Sequence, residues 1–282
     1  MDQIRIGKFS FINTSPIYYP LEHIVGLNGF QVIEGSPSEL NARFFRGELD
    51  ISVISSQEYG LHAERYLLLP ELAIVSQGTV KSVLFFSKYP LKALSGRRIL
   101  ITDKSQTSVA LLKIILEEFY EVFPIYETGD LSAKDVHARE VAGFLAIGDE
   151  ALRFRIESQE PYIIDLGETW KKFAGLPFVY AVWAVRREFY NQFPQKVWEA
   201  CRLLKQSRDK GLKTLEKIGG RFAPHIPMSK EACLAYLRTL CFDLTPEALE
   251  GMRLFFRYLV KRGEYPSPVD IEFIPEADKA II

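Results

Sequence analysis

Short apolar runs of strand length recur through the first 186 residues with helical segments between them, whereas everything after Arg187 reads as helix. Strands separated by helices imply βαβ units and mostly parallel sheets, the α/β class of fold. In such sheets ligands bind beyond the carboxyl ends of the strands. The first series runs IRIGKFSF (Ile4–Phe11), FQVIEG and DISVISS, with helical SPSELNARFFRGE and SQEYGLHAER after the second and third. Ser36 as N-cap, Pro37 at the first helical position and Glu39 three residues on predict a capping box, with Leu40 and Phe44 on the inner face of that helix. A second series spans Leu91 to Gly175, with RRILIT, FLAIGD and YIIDLG as strands. Its helix TSVALLKIILEEFY carries Leu111, Leu112, Ile115, Leu116 and Phe119 on one apolar face. In the helical remainder Ser229 and Thr245 are natural N-caps.

Two series of this kind predict two α/β lobes. Residues 1–87 and 187–282 form the first, completed by the C-terminal helices, and 88–186 form the second, inserted between. SVLFFSK (Ser82–Lys88) and FVYAVWAVR (Phe178–Arg186) are then the two crossover strands, and the ligand cleft lies between the lobes. The length supports this: 282 residues with 48% hydrophobic and 25% charged are enough for two cores.

A formal net charge of -1 argues against nucleic acid as a partner, because phosphate backbones select concentrated positive charge. No run of about 18 apolar residues predicts a membrane span, and MDQIRIGKFSF lacks the pattern of a signal peptide, so a cytoplasmic location is expected. Cys201, Cys233 and Cys241 form no CxxC pair and read as reduced, structural thiols. His23, His62, His137 and His225 are scattered, with no close pair of ligands, so no metal is expected, although a fold can bring distant ligands together. Oligomeric state is not encoded in any recognisable motif.

The candidate site residues sit at strand-to-helix junctions. Ser105, Thr107 and Ser108 in TDKSQTS, and Ser55 and Ser56 in SSQEY, combine hydroxyls with free helix-start N–H groups, which suits an anion such as a small dicarboxylate. The same residues also suit ordinary helix caps. Asn13, in FINTSP, either positions a substrate hydroxyl and developing charge or closes an Asx-turn. Ser82 lies outside any GxSxG pattern and has no nearby His, which favours a positioning hydroxyl over a nucleophile. Gly148 and Asp149 in IGDEAL mark another junction, where Asp149 is either a cap or a general base. Tyr180 and Trp183, an odd number of residues apart on one strand, point to opposite faces, one to the cleft and one to the core.

Several segments together resemble one family: FxNxxP from Phe11 to Pro16, ELNxxxxxGELDxxxxSSxEY from Glu39 to Tyr59, GxVxSVLxFS from Gly78 to Ser87, SxTSVxLLK from Ser105 to Lys113, IGDEAL from Ile147, and DLGExWxxxxGLPFVYAVWAxR from Asp165 to Arg186. This combination is similar to the chorismate dehydratases of the futalosine route to menaquinone. The resemblance implies a type II periplasmic-binding-protein-like fold. It also implies a hydro-lyase that converts chorismate, a small-molecule substrate, to 3-[(1-carboxyvinyl)oxy]benzoate, with Asn13 and Ser82 in the active site. A sister family that releases 1,4-dihydroxy-6-naphthoate from a cyclic futalosine derivative shares the fold and DLGxxW. A non-catalytic solute-binding protein on the same fold is the alternative of another class.

Overall fold

In the computed structural model, which describes residues 3–27, 29–129 and 140–276, the alternation of the sequence becomes two separate sheets. In the first, β1 (Ile4–Phe9) pairs in parallel with β2 (Phe30–Gly35) and with β3 (Ile51–Ser55). Two antiparallel strands continue it, β10 (Phe178–Arg186) against β3 and β4 (Tyr66–Ser76) against β10, and short β11 (Leu240–Cys241) closes that edge. The second sheet has the same plan. Strands β6 (Arg98–Ile101), β7 (Ile125–Thr128) and β8 (Gly143–Ile147) are parallel, and β5 (Val83–Ser87) runs antiparallel between β8 and β9 (Tyr162–Asp165). Each sheet is therefore mixed rather than mostly parallel, because one strand in each arrives from the opposite lobe.

Helices follow the strands as the sequence requires: α1 (Ser15–Pro20), α2 (Pro37–Phe45), α3 (Ser56–Leu61), α4 (Gln106–Lys113), α5 (Gly148–Glu157) and α6 (Leu166–Ala174). The capping box of α2 is present, with Ser36 Oγ accepting from the Glu39 N–H and Glu39 accepting from the Ser36 N–H. After β10 come α7 (Arg187–Gln192), α8 (Pro194–Lys213), α9 (Leu215–Phe222), α10 (Lys230–Leu237) and α11 (Pro246–Lys261). Ser229 and Thr245 cap α10 and α11 as expected.

The expected crossover strands each sit directly after a crossing. The chain passes between the sheets at residues 77–82 and again through 166–177. Strand pairing therefore groups 83–87 with the second sheet and 178–186 with the first, where the sequence reading has them the other way round. The cause is hydrogen bonding on both edges: β10 is filled by β3 and β4, and β5 by β8 and β9.

Several motif residues serve this framework. Asp50, 5% exposed, accepts from Arg5 at 2.6 Å and from Arg186 at 3.1 Å, tying β1, the loop before β3 and the end of β10. Burial works against the Asp50 charge, but hydrogen bonds from the Arg5 side chain and backbone and from Arg186 outweigh it and hold the carboxylate below its ordinary range. Trp183 donates its indole N–H to Tyr18 OH at 3.1 Å inside the first core.

Candidate active site

The carboxyl ends of both sets of parallel strands face each other across one small cavity of about 50 Å³. That volume is below the roughly 300–1,000 Å³ usual for small-molecule sites. Its walls carry Asn13, Ser55, Ser82, Ser105, Ser108, Gly148 and Tyr180 among apolar side chains that include Phe9, Phe11, Ile74, Val80 and Leu240. No Lys, Arg, His, Asp or Glu lines it among the described residues. Positive potential instead comes from helix starts: Pro37 begins α2, Ser55 caps α3, Ser105 caps α4 and Gly148 begins α5. Uncapped N–H groups and aligned peptide dipoles at such ends favour an anion without a buried cation.

Asn13 owes its aim to its neighbours. The turn at Ile12–Thr14 is closed by Thr14 Oγ1, which donates to the Phe9 and Phe11 carbonyls, and by Ser15 Oγ, which donates to the Ile12 carbonyl. The Asn13 amide is not needed for an Asx-turn, and its Oδ1 is buried in the cavity wall without a hydrogen-bond partner. A buried polar atom left unpaired is costly, and this oxygen faces the cavity.

Ser82 follows the first crossing. Its carbonyl accepts from the Gly148 N–H at 2.7 Å, and its hydroxyl accepts from Tyr236 OH at 3.0 Å. The loop before it is pinned by Asp165, whose carboxylate accepts from the N–H groups of Val80 and Lys81 and also caps α6. Lys81 needs that support, because its φ of 65° is left-handed. The crossings also touch at Gly167, where a Cβ would lie 2.5 Å from the Gly78 carbonyl oxygen. The DLG triplet is thus the clasp between the two connections.

Tyr180 faces the cavity and Trp183 the core. Tyr180 OH and neighbouring Ser76 Oγ are buried with no hydrogen bond of acceptable geometry. Burial, reinforced by the charge of Asp165, raises the Tyr180 phenol well above its ordinary value, so it stays protonated and acts as a donor.

Three candidates lie outside the cavity wall. Ser56 Oγ donates to the Val179 carbonyl at 2.6 Å. Thr107 Oγ1 accepts from the Gln57 N–H at 2.9 Å, a bond between the lobes. Asp149 Oδ1 accepts from the Ile12 N–H at 3.1 Å, also across the cleft, and its side chain borders a second cavity behind Phe11. Burial pushes the Asp149 carboxyl up to about 6, against the Ile12 hydrogen bond and the charge of Arg153. A further bond, Ser38 Oγ to the Asp103 carbonyl at 2.8 Å, makes this a closed cleft.

The residues missed in the sequence are Asn41 and Tyr236. Asn41 Nδ2 donates to Ser55 Oγ and Asn41 Oδ1 accepts from the Ser55 N–H, fixing the α3 cap. Its signal was a polar residue on the inner face of α2, between Leu40 and Phe44. Tyr236, 154 positions from Ser82, gave none. His23, His62 and His225 stay outside the cavity wall, and His137 lies outside the described residues. Among the described residues no group of three His, Cys, Asp or Glu could hold a metal, and no helix is long and apolar enough to cross a membrane.

Two lobes joined by two connections, each a sheet of three parallel strands extended by an antiparallel strand, with a cavity at the facing strand ends, define the periplasmic-binding-protein class of fold. The alkanesulfonate-binding protein of Xanthomonas axonopodis pv. citri, solved with MOPS, matches with a TM-score of 0.71 at 12% identity, covering 95% of this chain and 96% of that one. The chain belongs to the menaquinone biosynthesis family, whose model matches residues 4–261. It is 32% identical over 251 residues to the chorismate dehydratase of Thermus thermophilus, covering 84% of this chain and 89% of that protein. It is 24% identical over 204 residues to the 1,4-dihydroxy-6-naphtoate synthase of the same organism, covering 72% of this chain and 73% of that protein.

Proposed function

We propose that this protein is a hydro-lyase that removes water from chorismate to give 3-[(1-carboxyvinyl)oxy]benzoate, with Asn13 and Ser82 as its catalytic residues. The observation that carries the reading is their meeting on one cavity, from separate segments, in a chain 32% identical to a named chorismate dehydratase. Ser55, Ser105 and Ser108 bind the two carboxylates beside the start of α5 at Gly148, whose own N–H is taken by the Ser82 carbonyl, and Tyr180 donates to the bound ring. Thr107 and Asp149 act from outside the wall, holding the cleft shut, and Ser56 fixes the start of α3 against β10.

The chemistry suits such a site. A proton leaves the ring carbon that bears the enolpyruvyl ether, hydroxide leaves its neighbour, and the ring becomes aromatic. The net loss is one water, with no change of redox state. Orientation and stabilisation of developing charge are then the main demands, and fixed donors in a dry cavity meet them. The substrate's own enolpyruvyl carboxylate takes the proton, because among the described residues the cavity wall offers no protein carboxylate or imidazole. The domains divide at the two connections, near residues 77–82 and 166–177, and the enzyme works in the cytoplasm on a freely diffusing substrate.

The test offers purified protein chorismate and, separately, the cyclic dehypoxanthine derivative of futalosine. Conversion of chorismate alone supports the reading. Conversion of the second substrate assigns the chain to the sister activity, and tight binding of chorismate without turnover makes it a solute-binding protein.

A further inference from the structure

The C-terminal helices reach the site through α10. Tyr236, in its last turn, is 1% exposed, and its hydroxyl lies 3.0 Å from Ser82 Oγ. Lys81, next to Ser82, donates its ammonium to the Ala235 carbonyl at 3.4 Å, so the same helix end is fastened twice to the Ser82 segment. Three residues beyond the helix end, Leu240 lines the cavity and pairs with Ser76 through β11. The end of α10 is therefore a fixed wall against which Ser82 is set.

The direction of the Tyr236–Ser82 bond follows from acidity. A phenol is the stronger donor and an aliphatic hydroxyl the better acceptor. With Tyr236 donating, one lone pair of Ser82 Oγ is occupied, and no described side chain or carbonyl accepts the Ser82 proton. The open direction for that proton is the cavity. A hydroxyl that accepts one strong hydrogen bond also becomes a better donor, because chained bonds polarise one another.

We infer that Tyr236 is a positioning residue: by donating to Ser82 Oγ it fixes Ser82 as a hydrogen-bond donor to the reacting ring, not a nucleophile or base. This rests on the proposed dehydration, and it gives the C-terminal region a part in it.

The experiment compares wild type, Tyr236→Phe, Ser82→Ala and the double variant in kcat, KM and melting temperature with chorismate. Tyr236→Phe keeps the ring and should lower kcat by about 10-fold, the size of one orienting hydrogen bond, with KM little changed. Ser82→Ala should be slower still, and adding Tyr236→Phe to it should slow it no further, because the phenol acts only through Ser82. Losses that multiply in the double variant, or a wild-type kcat for Tyr236→Phe, would overturn the inference. If Tyr236→Phe does not fold, 3-fluorotyrosine at position 236 alone retains the packing and strengthens the donor. A changed single-turnover rate at unchanged melting temperature then supports the assignment, and an unchanged rate overturns it. Wild-type protein that leaves chorismate intact would refute the proposed function and this inference with it, whereas active wild type with independent variants would refute the inference alone.

Discussion

Asp149 offers a prediction in which charge and closure separate. Its carboxyl is raised from 3.8 to about 6, with burial the dominant cause. The folded protein thus binds this proton more tightly than the unfolded chain. Stability from this source is fully present below about pH 4 and is lost as pH rises through about 6, leaving the ionised group as a cost above that. The cost is about 2–3 kcal/mol, from roughly two pKa units at about 1.4 kcal/mol each. Asp149→Asn removes the charge but keeps an oxygen to accept from the Ile12 N–H. The variant should match wild type near pH 4 and exceed it at pH 8 by about 2–3 kcal/mol, or about 3–5 °C in Tm for a chain of this size. Asp149→Ala leaves the Ile12 N–H unpaired and should lose about 1–3 kcal/mol at both pH values relative to Asp149→Asn. The assay is thermal unfolding from pH 4 to pH 8 for the three proteins. A constant gap between wild type and Asp149→Asn across that range, or a less stable Asn variant at pH 8, would refute the reasoning.

The same Asp149→Asn protein should keep turnover within about 10-fold of wild type, since the proton goes to the substrate; a loss of about 10²-fold or more in single-turnover rate would make Asp149 the base. Asn13→Ala and Ser82→Ala should each lower kcat by about 10²–10³ with the fold retained, measured alongside a melting curve, and a chorismate-derived adduct on Ser82 by mass spectrometry would contradict the non-covalent mechanism. Gly148→Ala should cost about 1–3 kcal/mol and most of the activity, because φ is +57° there and the new Cβ would lie 2.8 Å from the Phe11 ring; wild-type melting and turnover would show that the contact yields freely.

The sequence made the fold legible where period and caps coincide. Ser36, Pro37 and Glu39 announced α2, and the two βα series announced the two sheets. Strand partners were not legible. An apolar run such as FVYAVWAV carries no mark of which neighbours will fill its edges, so β5 and β10 were expected in each other's lobes. In the site, junction residues were readable because strand ends and helix starts must face the cleft. Their immediate neighbours were not, since one helical step rotates a side chain by about 100°. Ser55 caps α3 at the cavity, but Ser56 turns back to Val179; Ser105 and Ser108 face inward, but Thr107 reaches Gln57. Asn41 and Tyr236 act through other residues, and Tyr236 reaches Ser82 only through tertiary packing.

The account turns on a cavity that, among the described residues, has no charged side chain and yet dehydrates chorismate. Single-turnover mixing of purified protein with chorismate, followed by mass and ultraviolet absorbance of the small molecule, tests it most directly. The account predicts a product one water lighter with an aromatic spectrum, formed at the same rate with and without a chelator. Chorismate recovered unchanged from protein shown to be folded would contradict it.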